Sequence, residues 1–252
     1  MKFLFIVQGE GRGHFTQAIT LEEMLLRNGH EVVEVLVGKS STRTLPGFFN
    51  RSIHAPVKRF ISPNFLPTAD NKRANLTKSF AYNLLKLPEY IRSMYYINQR
   101  IRETGAEVVI NFYELLTGLT YALFRPSVPY ICVGHQYLFL HHDFEFPDKS
   151  SCQLWMLRFF TRMTALKSSK KLALSFREME QDDNNQIVTV PPLIRQEVTA
   201  IRPEEGNYIH GYMVNSGFAD SVEHFHARHP EVPLTFFWDK SDTEEVIRVD
   251  ET

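Results

Sequence analysis

KFLFIVQGEGRGH, residues 2–14, sets a continuous apolar run directly against a glycine-rich turn. Lys2 to Val7 has the unbroken β-prone character of a strand buried on both faces of a sheet. Gly9, Gly11 and Gly13 then alternate with Glu10 and Arg12 before His14. Glycines there let the backbone turn sharply and let a ligand approach it closely. From about Phe15 the pattern turns helical, with Ala18, Leu21, Met24 and Leu25 on one face and Gly29 as the stop. Glu31 to Gly38, "EVVEVLVG", is a second β-branched run. Strand, helix and strand in close succession make a βαβ unit, so the two strands are expected to run parallel with a right-handed crossover. The loop then lies between strand one and the N-terminus of helix one. Free N–H groups and the positive end of the helix dipole favour an anion there, typically phosphate.

The same rhythm continues outward. Pro56–Ile61 reads as a short strand, and Asn75 to Thr104 as a long helical stretch bent or broken near Pro88. Ala106–Phe112 is a strand, Leu115–Phe124 a helix, and Val128–Gly134 another buried strand. A helix from about Ser151 to Ser168 leads to "KKLALSF", and "QIVTVPPLIR" closes the series. Alternation of this kind predicts an α/β fold: a Rossmann-like, doubly wound parallel sheet with helices on both faces. At Pro191-Pro192 the chain becomes rich in proline and charge, so residues 1–192 are expected to form one domain and 193–206 a linker. Residues 207–252 start a second β–α–β series: "YIHGYMVN", a helix over Gly217–His229, the strand "VPLTFFWD", and a further strand at "EEVIRV". So few elements cannot enclose a core. The expectation is an incomplete second α/β domain that continues in the natural protein.

Composition narrows the classes. The chain has 252 residues, is 43% hydrophobic and carries a formal net charge of −1. A near-neutral balance gives no general attraction to nucleic acid, so no nucleic-acid partner is expected and any anion site must be local. Two cysteines make no disulfide framework, and Cys132 reads as a small core residue. The apolar N-terminus runs straight into the glycine loop without the length or cleavage site of a signal peptide, and no apolar segment reaches the ~18–20 residues of a membrane helix. A cytoplasmic location is expected.

Two nucleotide-binding patterns fail on inspection. A dinucleotide fingerprint needs a third glycine where this chain has His14, and an acidic residue at the end of strand two where it has "VLVGKSS". The "GKS" of Gly38–Ser40 lacks the upstream glycine of a phosphate-binding loop, Val33 standing there. A glycine-rich first loop ending in histidine, followed by a helix ending "NGHEV", instead resembles the acceptor domain of GT-B glycosyltransferases. The likeness is closest to the bacterial branch with the peptidoglycan N-acetylglucosaminyltransferase and the sterol and macrolide glycosyltransferases. "VVINFYELL", "VPYICVGHQY" and "VPPLIR" fall in matching order along the chain. At the acidic loop, usually D-F-E-P, the aspartate position is Phe112 and the proline position Leu115; only Glu114 survives.

The resemblance implies transfer of a sugar from a nucleotide-sugar donor to a sugar, lipid or small-molecule acceptor, inverting and without a resident cofactor or metal. It makes His14 the catalytic base, with Glu114 as a second catalytic residue that would orient the ring and raise its pKa. The helix N-terminus alone favours the neutral imidazole. Gly9, Gly11, Arg12 and Gly13 would hold phosphate, and His135 and Gln136, at another strand end, would line the same crevice. His141, His142 and Asp143 match no common metal-ligand spacing. The helix near "LWMLRFFTRM", with Lys167, Lys170 and Lys171, is apolar and basic together. Packing of its aromatics against the sheet is the expectation, with peripheral contact to an anionic membrane as the other possibility. The function alternative is a GT-B-fold sugar epimerase or a non-catalytic sugar- or anion-binding relative.

Overall fold

A computed structural model of the chain describes residues 1–39, 45–64, 76–146, 152–213 and 216–238. In chain order these residues form β1 (Lys2–Gln8), α1 (Arg12–Arg27), β2 (Glu31–Lys39), α2 (Gly47–Ser52), β3 (Val57–Ile61), α3 (Leu76–Leu85) and α4 (Leu87–Glu103). There follow β4 (Val108–Phe112), α5 (Leu115–Phe124), β5 (Tyr130–Val133), a 3-10 turn over His135–Leu140, α6 (Cys152–Thr164), β6 (Lys170–Leu174) and β7 (Ile187–Val190). The last are α7 (Gln196–Thr199), β8 (Ile209–Met213), α8 (Ala219–Arg228) and β9 (Leu234–Trp238). The strand expected at "EEVIRV" lies outside the described residues, as do Ser40, Asn75 and Ser151.

The chain divides into two compact units, one of residues 1–64 and 85–201, the other of residues 65–84 and 202–252. The first holds a seven-stranded sheet in the order β3-β2-β1-β4-β5-β6-β7, every pairing parallel. β1 is internal, as its unbroken apolar run requires. Leu4 and Ile6 enter a core shared with Tyr90, Ile97 and Ile101 of α4, Leu116 and Tyr121 of α5, and Tyr137. Phe5 and Val7 enter a second core with Phe15, Ala18 and Ile19 of α1 and Phe49 of α2. Side chains alternate across a strand, so each face of the sheet is sealed by its own helices. From β1 the chain winds out to β3 and then returns past β1 to β4, which makes the β1–β4 boundary the topological switch point. Ligands of open α/β sheets bind at such a boundary. Among the described residues of the second unit, β8 and β9 pair in parallel and α8 connects them.

Three sequence expectations need correcting. Helix α1 starts inside the glycine loop, at Arg12, rather than at Phe15. Its buried stripe is Phe15, Ala18, Ile19 and Glu22, and Met24 is 41% exposed. Glu22 is drawn in because its carboxylate accepts the main-chain N–H groups of His54 and Ala55, each at 2.8 Å. Helix α6 buries only part of its aromatic surface, with Phe160 packed against the core as expected. Trp155 (63% exposed) and Phe159 (48%) face outward, while Thr161 and Thr164 are fully buried. The threonines turn inward because hydroxyls there can satisfy buried polar groups, as described below. The break near Pro88 falls at Lys86, and Pro88 sits in the first turn of α4, where its missing N–H costs nothing. No helix among the described residues is long and apolar enough to cross a membrane.

Candidate functional site

The loop after β1 and the loop after β4 meet at the switch point. Gly9 donates its N–H to Gly38 O at 2.7 Å, and a Cβ on Gly9 would lie 2.7 Å from that oxygen. The glycine is therefore needed for backbone-to-backbone approach between the ends of β1 and β2. Gly11 is the N-cap of α1, and it, Arg12 and Gly13 are exposed. An added Cβ at Gly11 or Gly13 would meet nothing within 4 Å. This helix end, exposed to solvent, is suited to an anion.

His14, in the first turn of α1, is buried at 7% exposure. Its Nδ1 lies 3.3 Å from Gln17 Oε1 and its Nε2 lies 3.3 Å from Gln136 Nε2. A carbonyl oxygen can only accept and an amide nitrogen can only donate, so this network places the proton on Nδ1 and the lone pair on Nε2. Burial lowers the pKa to about 4, against the Gln17 hydrogen bond, which raises it, and with a further lowering from His135. The imidazole is neutral, as the sequence suggested, but burial rather than the helix dipole is the main cause.

The ring of His14 stacks on Tyr113, centroids 5.8 Å apart and planes 20° from parallel. Tyr113 adopts φ 61°, a left-handed conformation that costs a bulky residue about 1–3 kcal/mol. Its neighbours over-determine it. Asn111 Oδ1 accepts Glu114 N–H at 2.9 Å, and Asn111 Nδ2 donates to Glu114 O at 3.1 Å and to Thr164 O at 2.9 Å. Tyr113 Oη pairs with Thr161 Oγ1 at 2.7 Å, and Tyr137 Oη with Thr164 Oγ1 at 3.1 Å. The buried threonines of α6 thus anchor the platform under His14. Sequence reasoning passed over Gln17, Asn111 and Tyr113. Only Asn111 carried a usable signal, as a polar residue within an otherwise apolar buried strand.

Glu114 is fully buried and caps α5, accepting Leu116 N–H at 3.1 Å and the Ser62 hydroxyl at 2.5 Å. It is not brought to His14: the hydrogen bonds of His14 go to Gln17 and Gln136, and those of Glu114 to Ser62 and Leu116. The carboxyl reaches back to β2, where a Cβ on Gly38 would lie 2.3 Å from Glu114 Oε2. Burial raises its pKa to about 7, against the Ser62 and Leu116 hydrogen bonds and with help from Glu10. Gly38, read in the sequence as the end of strand two and as part of a failed phosphate-loop pattern, makes room for this acid.

Gln136 reaches His14 from the start of the 3-10 turn, whereas the adjacent His135 is exposed. The structure therefore joins Gly9, Gly11, Arg12, Gly13, His14 and Gln136 in one region and places Glu114 beside Gly38 and Ser62.

No curated protein sequence matches the chain. Solved structures share its fold over nearly its whole length. Arabidopsis thaliana UGT89C1 complexed with UDP-L-rhamnose superposes with a TM-score of 0.56 at 16% identity, over 99% of this chain and 68% of that one. Phytolacca americana UGT2 complexed with UDP-2-fluoro-glucose and pterostilbene gives 0.54 at 13% identity, over 94% and 71%. The glycotransferase of kitacinnamycin gives 0.51 at 12% identity, over 97% and 68%. The chain thus spans about two thirds of the length of these GT-B structures. The family described as Glycosyl transferase family 1 matches residues 1–237, and the chain belongs to that family.

Proposed function

We propose that this chain supplies the acceptor side of an inverting, nucleotide-sugar-dependent glycosyltransferase in which His14 is the base. The observation that carries the reading is a buried, neutral histidine at the switch point, with Nδ1–H held by Gln17 and the Nε2 lone pair directed away from it. An acceptor hydroxyl would replace the Gln136 amide at Nε2. As its oxygen bonds to the anomeric carbon, the bond from that carbon to the donor diphosphate breaks, the electron pair leaves with the diphosphate, and the hydroxyl proton passes to Nε2. The N–H groups at Gly11–Gly13 and the Arg12 guanidinium would take the charge that develops on the diphosphate, which leaves the transfer with no need for a resident metal. Two of the structural neighbours named above are complexed with UDP-sugars, one of them together with pterostilbene, which makes a UDP-sugar the first donor to try.

In this reading Glu114 holds the platform instead of orienting the histidine, and Gln17 takes the orienting role. Residues 1–192 form the acceptor-side domain, 193–206 the linker and 207–252 the beginning of the donor-side domain. The outward face of α6, with Trp155, Met156 and Phe159 beside Arg162, Lys167 and Lys170, suits an anionic membrane presenting a lipid acceptor. Co-sedimentation with anionic vesicles, lost at high salt and in Trp155→Ala, tests that contact. The decisive test of the function is His14→Ala in the whole enzyme. Turnover should fall roughly 10²–10⁴-fold with donor affinity little changed; transfer near the parent rate removes histidine from the mechanism.

A further inference from the structure

His141 and His142 follow the 3-10 turn that begins at His135, and Asp182 precedes β7, forty residues beyond His142. One ring nitrogen from each histidine and one carboxylate oxygen of Asp182 lie within 4.8 Å of one another. His141 and Asp182 are buried, while the His142 side chain is half exposed, so the cluster is open on one side.

The placement of His142 is the informative feature. Its Nε2 lies 3.2 Å from Asp143 Oδ2 and its Nδ1 lies 3.2 Å from Asp182 Oδ2. Its main-chain N–H also donates to Asp182 Oδ2 at 3.1 Å, which fixes the histidine and the carboxylate side by side.

We propose that His141, His142 and Asp182 bind a divalent transition cation of the zinc class, with solvent completing the shell. Two imidazoles and a carboxylate are a donor set of that class. The 3.2 Å between His142 Nδ1 and Asp182 Oδ2 fits two ligands of one tetrahedral ion with bonds of about 2.0 Å. The outer contacts are those of a metal site. His141 Nε2 donates to Glu180 O at 2.8 Å, His142 Nε2 faces Asp143, and Asp182 is fixed by Asn185 N at 3.1 Å and Asn185 Nδ2 at 2.7 Å. Loading requires His141 to close toward the other two and its Nδ1 to release Asp143 N–H, now at 3.1 Å. The ion would tie the end of the turn carrying Gln136 to the β6–β7 connection, as a staple outside the transfer chemistry. In the sequence, His141, His142 and Asp143 matched no common metal-ligand spacing and no metal was expected, and Asp182 stands forty residues beyond His142.

The test is titration of the untagged, chelator-treated chain with Co2+ and Zn2+. Co2+ should give the visible bands of a low-coordinate site at one equivalent, Zn2+ should displace it, and Zn2+ should raise the melting temperature. His142→Gln, at a half-exposed position that the fold can spare, should lose all three responses. Asp143→Asn should weaken binding about 10- to 100-fold without abolishing it. Absence of any spectral or thermal response overturns the assignment. A response that survives His142→Gln overturns it as well, by placing the ion elsewhere, for example on the histidines of α8.

Discussion

His14 and Glu114 are both neutralised by burial, and their contributions to stability run in opposite directions with pH. The folded chain keeps His14 unprotonated down to about pH 4, below its ordinary 6.5, so this contribution is present above pH 6.5 and lost as the pH falls toward 4. It keeps Glu114 protonated up to about pH 7, above the ordinary 4.5, so that contribution is complete below pH 4.5 and lost as the pH rises through 7. Glu114→Gln preserves shape and removes the second effect. Thermal melts of this variant should no longer lose stability between about pH 5 and pH 7, relative to the parent; an unchanged profile would show that Glu114 is ionised in the fold. Gln17→Glu should do the reverse for the base, raising the His14 pKa from about 4 toward its ordinary value, as followed by the NMR shift of the ring protons. The candidacy of His14 could be read from the sequence because glycines and a histidine at a strand–helix junction are local features. Tyr113, Gln17 and Gly38 could not, because their roles depend on a left-handed turn, a rotamer and a carboxyl arriving from two strands away.

Elements were more legible than their faces. The inner strands β1, β2, β4 and β5 were marked by β-branched or apolar runs, because burial on both faces leaves little room for polar residues. The failures are places where a buried polar contact outweighed hydrophobic periodicity. Glu22 displaced Met24 on α1, and the threonines of α6 displaced Trp155 and Phe159. A run of apolar letters records how much surface could be buried, and the hydrogen-bonding demand of Asn111, Tyr113 and Tyr137 decides which side of α6 meets it. The α5–α6 crossing is equally hidden in sequence. A Cβ on Gly118 would lie 2.1 Å from Met163 O and 2.9 Å from Thr164 O, both main-chain atoms that cannot swing aside. Gly118→Ala should therefore destabilise the chain by about 1–3 kcal/mol or more in denaturant unfolding, despite the better helix propensity of alanine. A neutral or stabilising effect would mean that the two helices can separate freely.

At the scale of the whole molecule, the order of motifs along the chain revealed the GT-B architecture, while the chemistry of the acceptor left no mark on it. The glycine loop by itself is a weak ligand. A helix N-terminus contributes on the order of 1 kcal/mol to holding an anion, against the ~8 kcal/mol of micromolar affinity. The 252-residue chain should accordingly bind nucleotide sugars more weakly than micromolar in calorimetry, and a micromolar dissociation constant would place a full donor site within these residues. The loop also separates two kinds of constraint. Gly9 and Gly38 are demanded by the fold, since any side chain there collides with main chain or with Glu114. Gly11 and Gly13 have no such neighbour among the described residues, and neither needs a backbone conformation that alanine cannot adopt. Nothing in the fold would resist their drift to alanine or serine over evolutionary time. A selective pressure holding glycine at those two positions would have to come from a molecule that is not part of the protein.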